Sequence, residues 1–327
     1  MKKNIPIIHS VLDAAPLAER VEQHYDLPGP IHVELLTRGM NDVYEVRDGN
    51  DRIYALRVWR SVFRSETDVD YETAFLAFLR AEGLPVSAAI PARGGKLYAP
   101  VRAMEGPRFF ALFQWADGVT YAKNPDLAIA RKMGELFGQM HKLSPRFRPP
   151  VPRVIDTGAN LRRALPHIQR MVQHRPDDLA FYTEAAGKIA AKFDTLQGSS
   201  DLPRGATHGD FHVFNAFVTP AGKITLLDFD SCGDDYFVTE LTCFAWANEY
   251  VKMNPAVTDA FSAGYESVRP LTQKEKDLMA FFYAAKELRF LFGFATNVNA
   301  VGHTPLLFPD LDWFAASVRR HMKEAGL

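Results

Sequence analysis

The sequence predicts an α+β chain of two lobes, a small antiparallel-sheet lobe over residues 1–115 and a larger, mainly helical lobe over 116–327. Three observations predict it. At 327 residues the chain exceeds what one hydrophobic core usually serves. Strand-like runs separated by turn residues crowd its first third. Helical periodicity dominates the remainder, interrupted by one short hairpin pattern just ahead of Asp228.

Taken in order, residues 9–24 read as a short helix. The runs LLTRGMNDVYEV (35–46) and DRIYALRVW (51–59) alternate about Asp48-Gly49-Asn50, a strong hairpin signal. Gly39 lies between two strand-like pieces, where the backbone can approach a ligand with no side chain in the way. Residues 69–81 fit a helix that packs Phe75, Leu76, Phe78 and Leu79 inward and ends at Gly83. A hairpin-like piece around Gly94-Gly95 precedes a buried strand from Phe109 to Trp115, and Asp117-Gly118 reads as a hinge.

In the second lobe, helices are expected at 128–143, 177–196, 237–250, 255–268, 272–294 and 311–324. A proline-rich loop covers 145–152, and a second loop covers 299–309. His141, near the end of its helix, reads as a packed or capping histidine.

Hydrophobic content of 47 %, charged content of 24 % and a net charge of -1 describe an ordinary folded protein with no footprint for nucleic acid or an anionic membrane. The N-terminus has no apolar signal core. The richest apolar stretch, 278–295, carries Lys286, Glu287 and Arg289 near its middle, which reads as a buried helix rather than a span. Cys232 and Cys243 make no disulfide framework. A cytoplasmic location is expected.

The chemistry concentrates in THGDFHVFNAFVTPAGKITLLDF (207–229). Asn215 follows Asp210 by five residues and Asp228 follows it by 18, at the end of an apolar strand. Two carboxylates and an amide are the oxygen donors that Mg2+ prefers, completed by water and nucleotide phosphates. Asp210 can orient a substrate hydroxyl and accept its proton, Asp228 can bridge the metal to phosphates, and the planar fork of Arg57 suits phosphate oxygens.

The segments HGDFHVFN (208–215) and LLDFD (226–230) resemble the catalytic loop and metal-binding segment of the aminoglycoside and choline phosphotransferase superfamily, relatives of the protein kinases. TRGMNDVYEV (37–46) is similar to the nucleotide loop and YALRVWR (54–60) to the phosphate-contacting strand, so the resemblance covers nearly the whole chain. It implies a bilobal protein-kinase-like fold, ATP and Mg2+ as cofactors, Asp210 as the catalytic aspartate, and Asn215 and Asp228 as metal ligands. Arg57 stands where a lysine is usual, with Glu72 holding it. Gly39, Asn41, Gln114 and Ala116 fall on the nucleotide side, the last two at the interlobe hinge that reads the adenine edge. Glu240 falls near an aspartate that supports the catalytic loop. His208 and His212 brace that loop, and Asp230 touches metal or substrate or lies behind them.

The segment after Asp228 looks like homoserine-kinase-like branches, and KELRFLF with FPDLDWF (308–314) like stress-response kinases. Transfer to a small-molecule hydroxyl is the first expectation, and a Ser/Thr protein substrate the nearest alternative. Asp234, Asp235, Glu240, Glu249 and Glu287 could line an acidic acceptor pocket. Trp246, Tyr250, Tyr283 and Phe290 could line an aromatic one, although helical core packing explains them as well. Two other classes compete. A metal-dependent phosphohydrolase would use His208, Asp210, His212 and Asp228 but leaves Asn215 and Arg57 without work. A silent nucleotide-binding module has no use for Asp210, Asn215 and Asp228 together.

Overall fold

The computed structural model describes residues 5–301 and 310–327. In chain order the elements are α1 (Ala14–His24), β1 (His32–Arg38), β2 (Asn41–Arg47), β3 (Ile53–Trp59), α2 (Glu66–Ala81), β4 (Ala99–Ala103), β5 (Gly106–Gln114), β6 (Val119–Thr120), α3 (Leu127–Leu143), α4 (Thr157–Met171), α5 (Pro176–Leu196), β7 (Arg204–Thr207), β8 (Ala216–Val218), β9 (Ile224–Leu226), β10 (Gly233–Tyr236), α6 (Val238–Tyr250), α7 (Pro255–Val268), α8 (Gln273–Asp277), α9 (Met279–Val301) and α10 (Leu311–Glu324). The chain forms two compact units. The first holds residues up to Val119 with Phe147–Arg153 and Ala216–Asp230; the second holds Thr120–Arg146, Val154–Asn215 and the chain from Ser231. One is built on an antiparallel sheet and the other is mainly helical, the α+β class expected.

In the first unit the sheet runs β1-β2-β3-β5-β4. Its strands alternate as a half-buried sheet must. Tyr44, Val46, Leu56, Val58, Phe110 and Leu112 share one core with Leu17 and Val21 of α1. Arg57 alternates with Leu56 and Val58 and so leaves toward the opposite face, beside Val43 and Ala111 in register. The turn at Asp48 is held by its own carboxylate, which accepts the Asn50 and Arg52 N–H groups. Gly49 is required there because a Cβ would fall 2.1 Å from the Gly29 carbonyl oxygen.

Helix α1 starts at Ala14 rather than residue 9. Asp13 caps it, while the Ser10 carbonyl is taken by buried Arg108 (2.8 Å) and the Ser10 hydroxyl by Glu105 (2.6 Å). Arg108 also pairs with buried Asp42 at 2.8 Å, so hydrogen bonds of Ser10 to a charged cluster on the sheet, not helix, tie down the N-terminal arm. The piece around Gly94-Gly95 is a turn; the hairpin lies between β4 and β5.

In the second unit α4, α5, α6, α9 and α10 enclose one core that contains Leu161, Ile168, Tyr182, Trp246, Leu288 and Phe314. Helices α3 and α7 cross at Gly134 and Gly264, where added Cβ atoms would lie 1.9 Å from the Phe261 and Arg131 carbonyl oxygens. His141 is buried, hydrogen-bonded to the Tyr265 hydroxyl (2.6 Å) and stacked on Phe237. The single helix expected over 272–294 is two, α8 and α9, divided at Leu278, and α9 continues to Val301. The rest of the loop expected at 299–309, with Phe308 and Pro309, lies outside the described residues. No helix among the described residues is long and apolar enough to cross a membrane.

Candidate active site

The loop 208–215 belongs to the second unit and follows β7. Its entry is pinned from two sides. Thr207 donates its hydroxyl to the Gly233 carbonyl (3.0 Å), fixing β7 to β10. Glu240, wholly buried on α6, accepts the His208 N–H at 3.0 Å and the Gly209 N–H at 2.8 Å. Burial pushes this carboxyl up to about 7 against the pull of those two bonds. Gly209 has φ +85, and a Cβ would fall 2.2 Å from the Ser231 carbonyl oxygen, so the turn requires glycine.

Two rings anchor the loop. His208 packs on Phe137 and Phe211, and Phe211 packs on Phe137 at 4.2 Å and on Phe244. Between these buried residues Asp210 projects a side chain that is 40 % exposed. Asn215 is buried, and its Nδ2 donates to the Asp210 carbonyl (3.0 Å), leaving Oδ1 for another partner. The His212 Nδ1 accepts the Phe214 N–H (3.3 Å). The Lys286 ammonium, from α9, sits 2.7 Å from Asp210 Oδ1. Burial alone would raise the Asp210 carboxyl. Lys286, with His212 and Arg289 beyond it, outweighs that and holds it well below the usual carboxylate range.

The first unit carries a second cluster. Arg57 bonds Glu72 at 2.6 Å and stands 3.4 Å from Asp228. Glu72 is buried on α2, and its other oxygen accepts the Trp59 indole N–H at 3.0 Å. Burial pushes Glu72 up and Arg57 opposes it. Asp228 has a left-handed backbone, φ 61, and a half-exposed carboxylate. Asp230 is buried, accepts the Asn41 Nδ2 (3.0 Å) and pairs with Arg64 (3.1 Å). Gly39 donates its N–H to the Asn41 carbonyl (2.9 Å). Gln114 pairs with Tyr54, three residues along β3 from Arg57, and its carbonyl accepts the Ser87 hydroxyl. Ala116 lies partly exposed beyond β5.

Sequence reasoning missed Lys286, Trp59 and Arg64. The signal for Lys286 was present: a lysine in the middle of an apolar helix. The five acids proposed for an acceptor pocket each have a partner. Asp234 holds Arg204, Asp235 holds Arg289, Glu249 holds Tyr283 and Arg320, Glu287 holds His321, and Glu240 holds the loop. Trp246, Tyr250, Tyr283 and Phe290 belong to the helical core or pack against it.

The sequence matches the phosphotransferase enzyme family (APH) across residues 33–275. The chain belongs to that family. A protein of Deinococcus radiodurans described as uncharacterized is 32 % identical to this phosphotransferase over 293 residues, 88 % of this chain and 84 % of that protein. A homoserine kinase of a Caulobacter species is 26 % identical over 86 % of this chain and 85 % of its own. Among solved structures, the amicoumacin kinase hAmiN in complex with AMP-PNP and Ca2+ matches with a TM-score of 0.76 at 17 % identity, covering 94 % of both chains. At that identity the likeness establishes the fold of the phosphotransferase, a kinase-like one.

Proposed function

We propose that this phosphotransferase moves the γ-phosphoryl group of ATP, in the presence of Mg2+, to a hydroxyl of a small molecule. The observation that carries the reading is the loop that buries His208 and Phe211 and presents the Asp210 carboxylate between them. Asp210 orients the acceptor hydroxyl and takes its proton as transfer completes. With a carboxyl held far below neutrality it is a weak base, which suits a loose transition state in which the proton leaves late. Arg57 binds phosphate oxygens with its fork set by Glu72. The half-exposed Asp228 carboxylate and the Asn215 Oδ1 are hard oxygen donors, the chemistry Mg2+ takes. When bound, the ion supplies charge neutralisation at the phosphates. The names of the Caulobacter homoserine kinase and the amicoumacin kinase support a small acceptor over a protein one.

The test is a transfer screen with Mg-ATP over amino alcohols, homoserine, aminoglycosides, sugars and a generic protein substrate, with the phosphorylated product identified. A phosphorylated small molecule is expected. Asp210→Asn should still bind Mg-ATP while its kcat falls about 10²- to 10⁴-fold. Undiminished transfer in that variant, or phosphorylation of protein alone, overturns the reading.

A further inference from the structure

We propose that Lys286 is the positioning residue of Asp210: a cation delivered from α9 that fixes one carboxylate oxygen so that the other is presented to the acceptor hydroxyl. The inference rests on the role of Asp210 given above. The ammonium is 2.7 Å from Oδ1. It is also 5.5 Å from the centre of the Trp246 ring, a cation–π contact that holds it from the side. The lysine side chain is 4 % exposed and the aspartate 40 %, so the pair has a buried end and an open end. The Cys243 Sγ lies 3.8 Å from the same oxygen and 3.4 Å from the Phe211 carbonyl oxygen, with a single S–H to offer the two. Burial keeps that thiol protonated by raising it to about 12, so Oδ1 meets an ammonium and a neutral thiol while Oδ2 remains for substrate.

The economics of burial point to the site rather than to the fold. Lys286 lies between buried Ala285 and the buried core residue Leu288, and withdrawing an ammonium from water costs several kcal/mol before its partner compensates. An apolar side chain would fill the space beside Trp246 at less expense. Arg289, one turn further on, is already held by Asp235 at 3.3 Å, so on α9 the cation bonded to Asp210 is Lys286. The arrangement restricts rotation of a carboxylate that is otherwise free about its last torsion, and misplacing a catalytic group by about 1 Å can cost about 10²-fold in rate.

The experiment is a double-mutant cycle on the full chain with Mg-ATP and the acceptor identified for the wild type, using Lys286→Met, Lys286→Gln, Lys286→Arg, Asp210→Asn and Lys286→Met combined with Asp210→Asn. Lys286→Met is expected to lower kcat about 10- to 100-fold with KM for Mg-ATP within about twofold, and Lys286→Arg to recover part of the loss. In the Asp210→Asn background the same change should cost less than about twofold. Equal losses in both backgrounds, or wild-type kcat in Lys286→Met, overturn the proposal. Lys286→Gln replaces Lys286→Met if the latter does not fold. If the wild type phosphorylates nothing, the proposed function fails instead, and a crystal structure of the Lys286 variant decides this inference. A displaced or multiple Asp210 carboxylate supports it, and an unmoved one overturns it.

Discussion

At the scale of single residues, buried polar groups with two simultaneous duties set the geometry. Glu240 accepts two N–H groups from the loop with its two oxygens. A glutamine there has one carbonyl oxygen, so one of the two donors faces an NH2 group. Glu240→Gln should therefore lose about 1–3 kcal/mol in urea denaturation and slow transfer, with the damage confined to the loop in amide exchange. His141 gives a pH signature. Burial, aided by Arg269, holds its pKa well below the ordinary 6.5. The unfolded chain takes up a proton below about 6.5 that the folded chain refuses, so stability present above that pH is lost as pH falls. The melting temperature of His141→Gln should be lower than wild type at pH 8 but decline less steeply between pH 7 and pH 5. The loop that holds Asp210 and Asn215 and the strand that ends ahead of Asp228 were legible as segments because each is short and local along the chain. The pairing of Lys286 with Asp210 was not, because it spans 76 residues and only the packing of α9 makes it.

At the scale of elements, glycine has opposite meanings in two helices. In α3, a Cβ on Gly134 would collide with the Phe261 carbonyl, and moving α7 away would open the crossing. Gly134→Ala gains about 1 kcal/mol of helix propensity but overpacks a contact that has no flexible atom to give way. It should be net destabilising by about 2 kcal/mol. In α5, Gly187 is exposed and a Cβ there meets nothing within 4 Å. Gly187→Ala should stabilise by about 0.5–1 kcal/mol, and calorimetry of the two variants side by side checks both. Elements with strong periodicity or a cap were readable: α2 carries the Ser65–Asp68 capping box, and α3, α7 and α10 are close to where periodicity sets them. Helix α4 was not read, since Pro166 and a run of basic residues obscure its buried stripe of Leu161, Ala164 and Ile168. The β7–β10 pair was missed because each strand has four residues and its partner lies beyond the intervening hairpin.

At the scale of the whole molecule, the chain order hides how the first unit is assembled. Tyr71, Phe75 and Phe78 of α2 pack on Phe147, and Phe75 also packs on Phe229. Ser87 donates its N–H to the Leu226 carbonyl, and Leu226 donates to that of Pro85. These partners come from the proline-rich segment and from the hairpin that ends at Asp228. No local periodicity announces such returns, although a boundary drawn on composition alone places both segments with the helices. A fragment ending at Val119 lacks them and leaves one face of α2 unpacked. It should show no cooperative melt and poor amide dispersion, whereas the first unit in the full chain should melt cooperatively.

The left-handed backbone at Asp228 bears on which descendants of such a protein keep their fold over generations. A φ of 61 is tolerated by aspartate, asparagine and glycine and resisted by most other side chains. Asparagine and glycine are therefore the replacements at position 228 that the fold accepts most readily. A β-branched replacement at this position would be removed for instability, whatever it did to the chemistry.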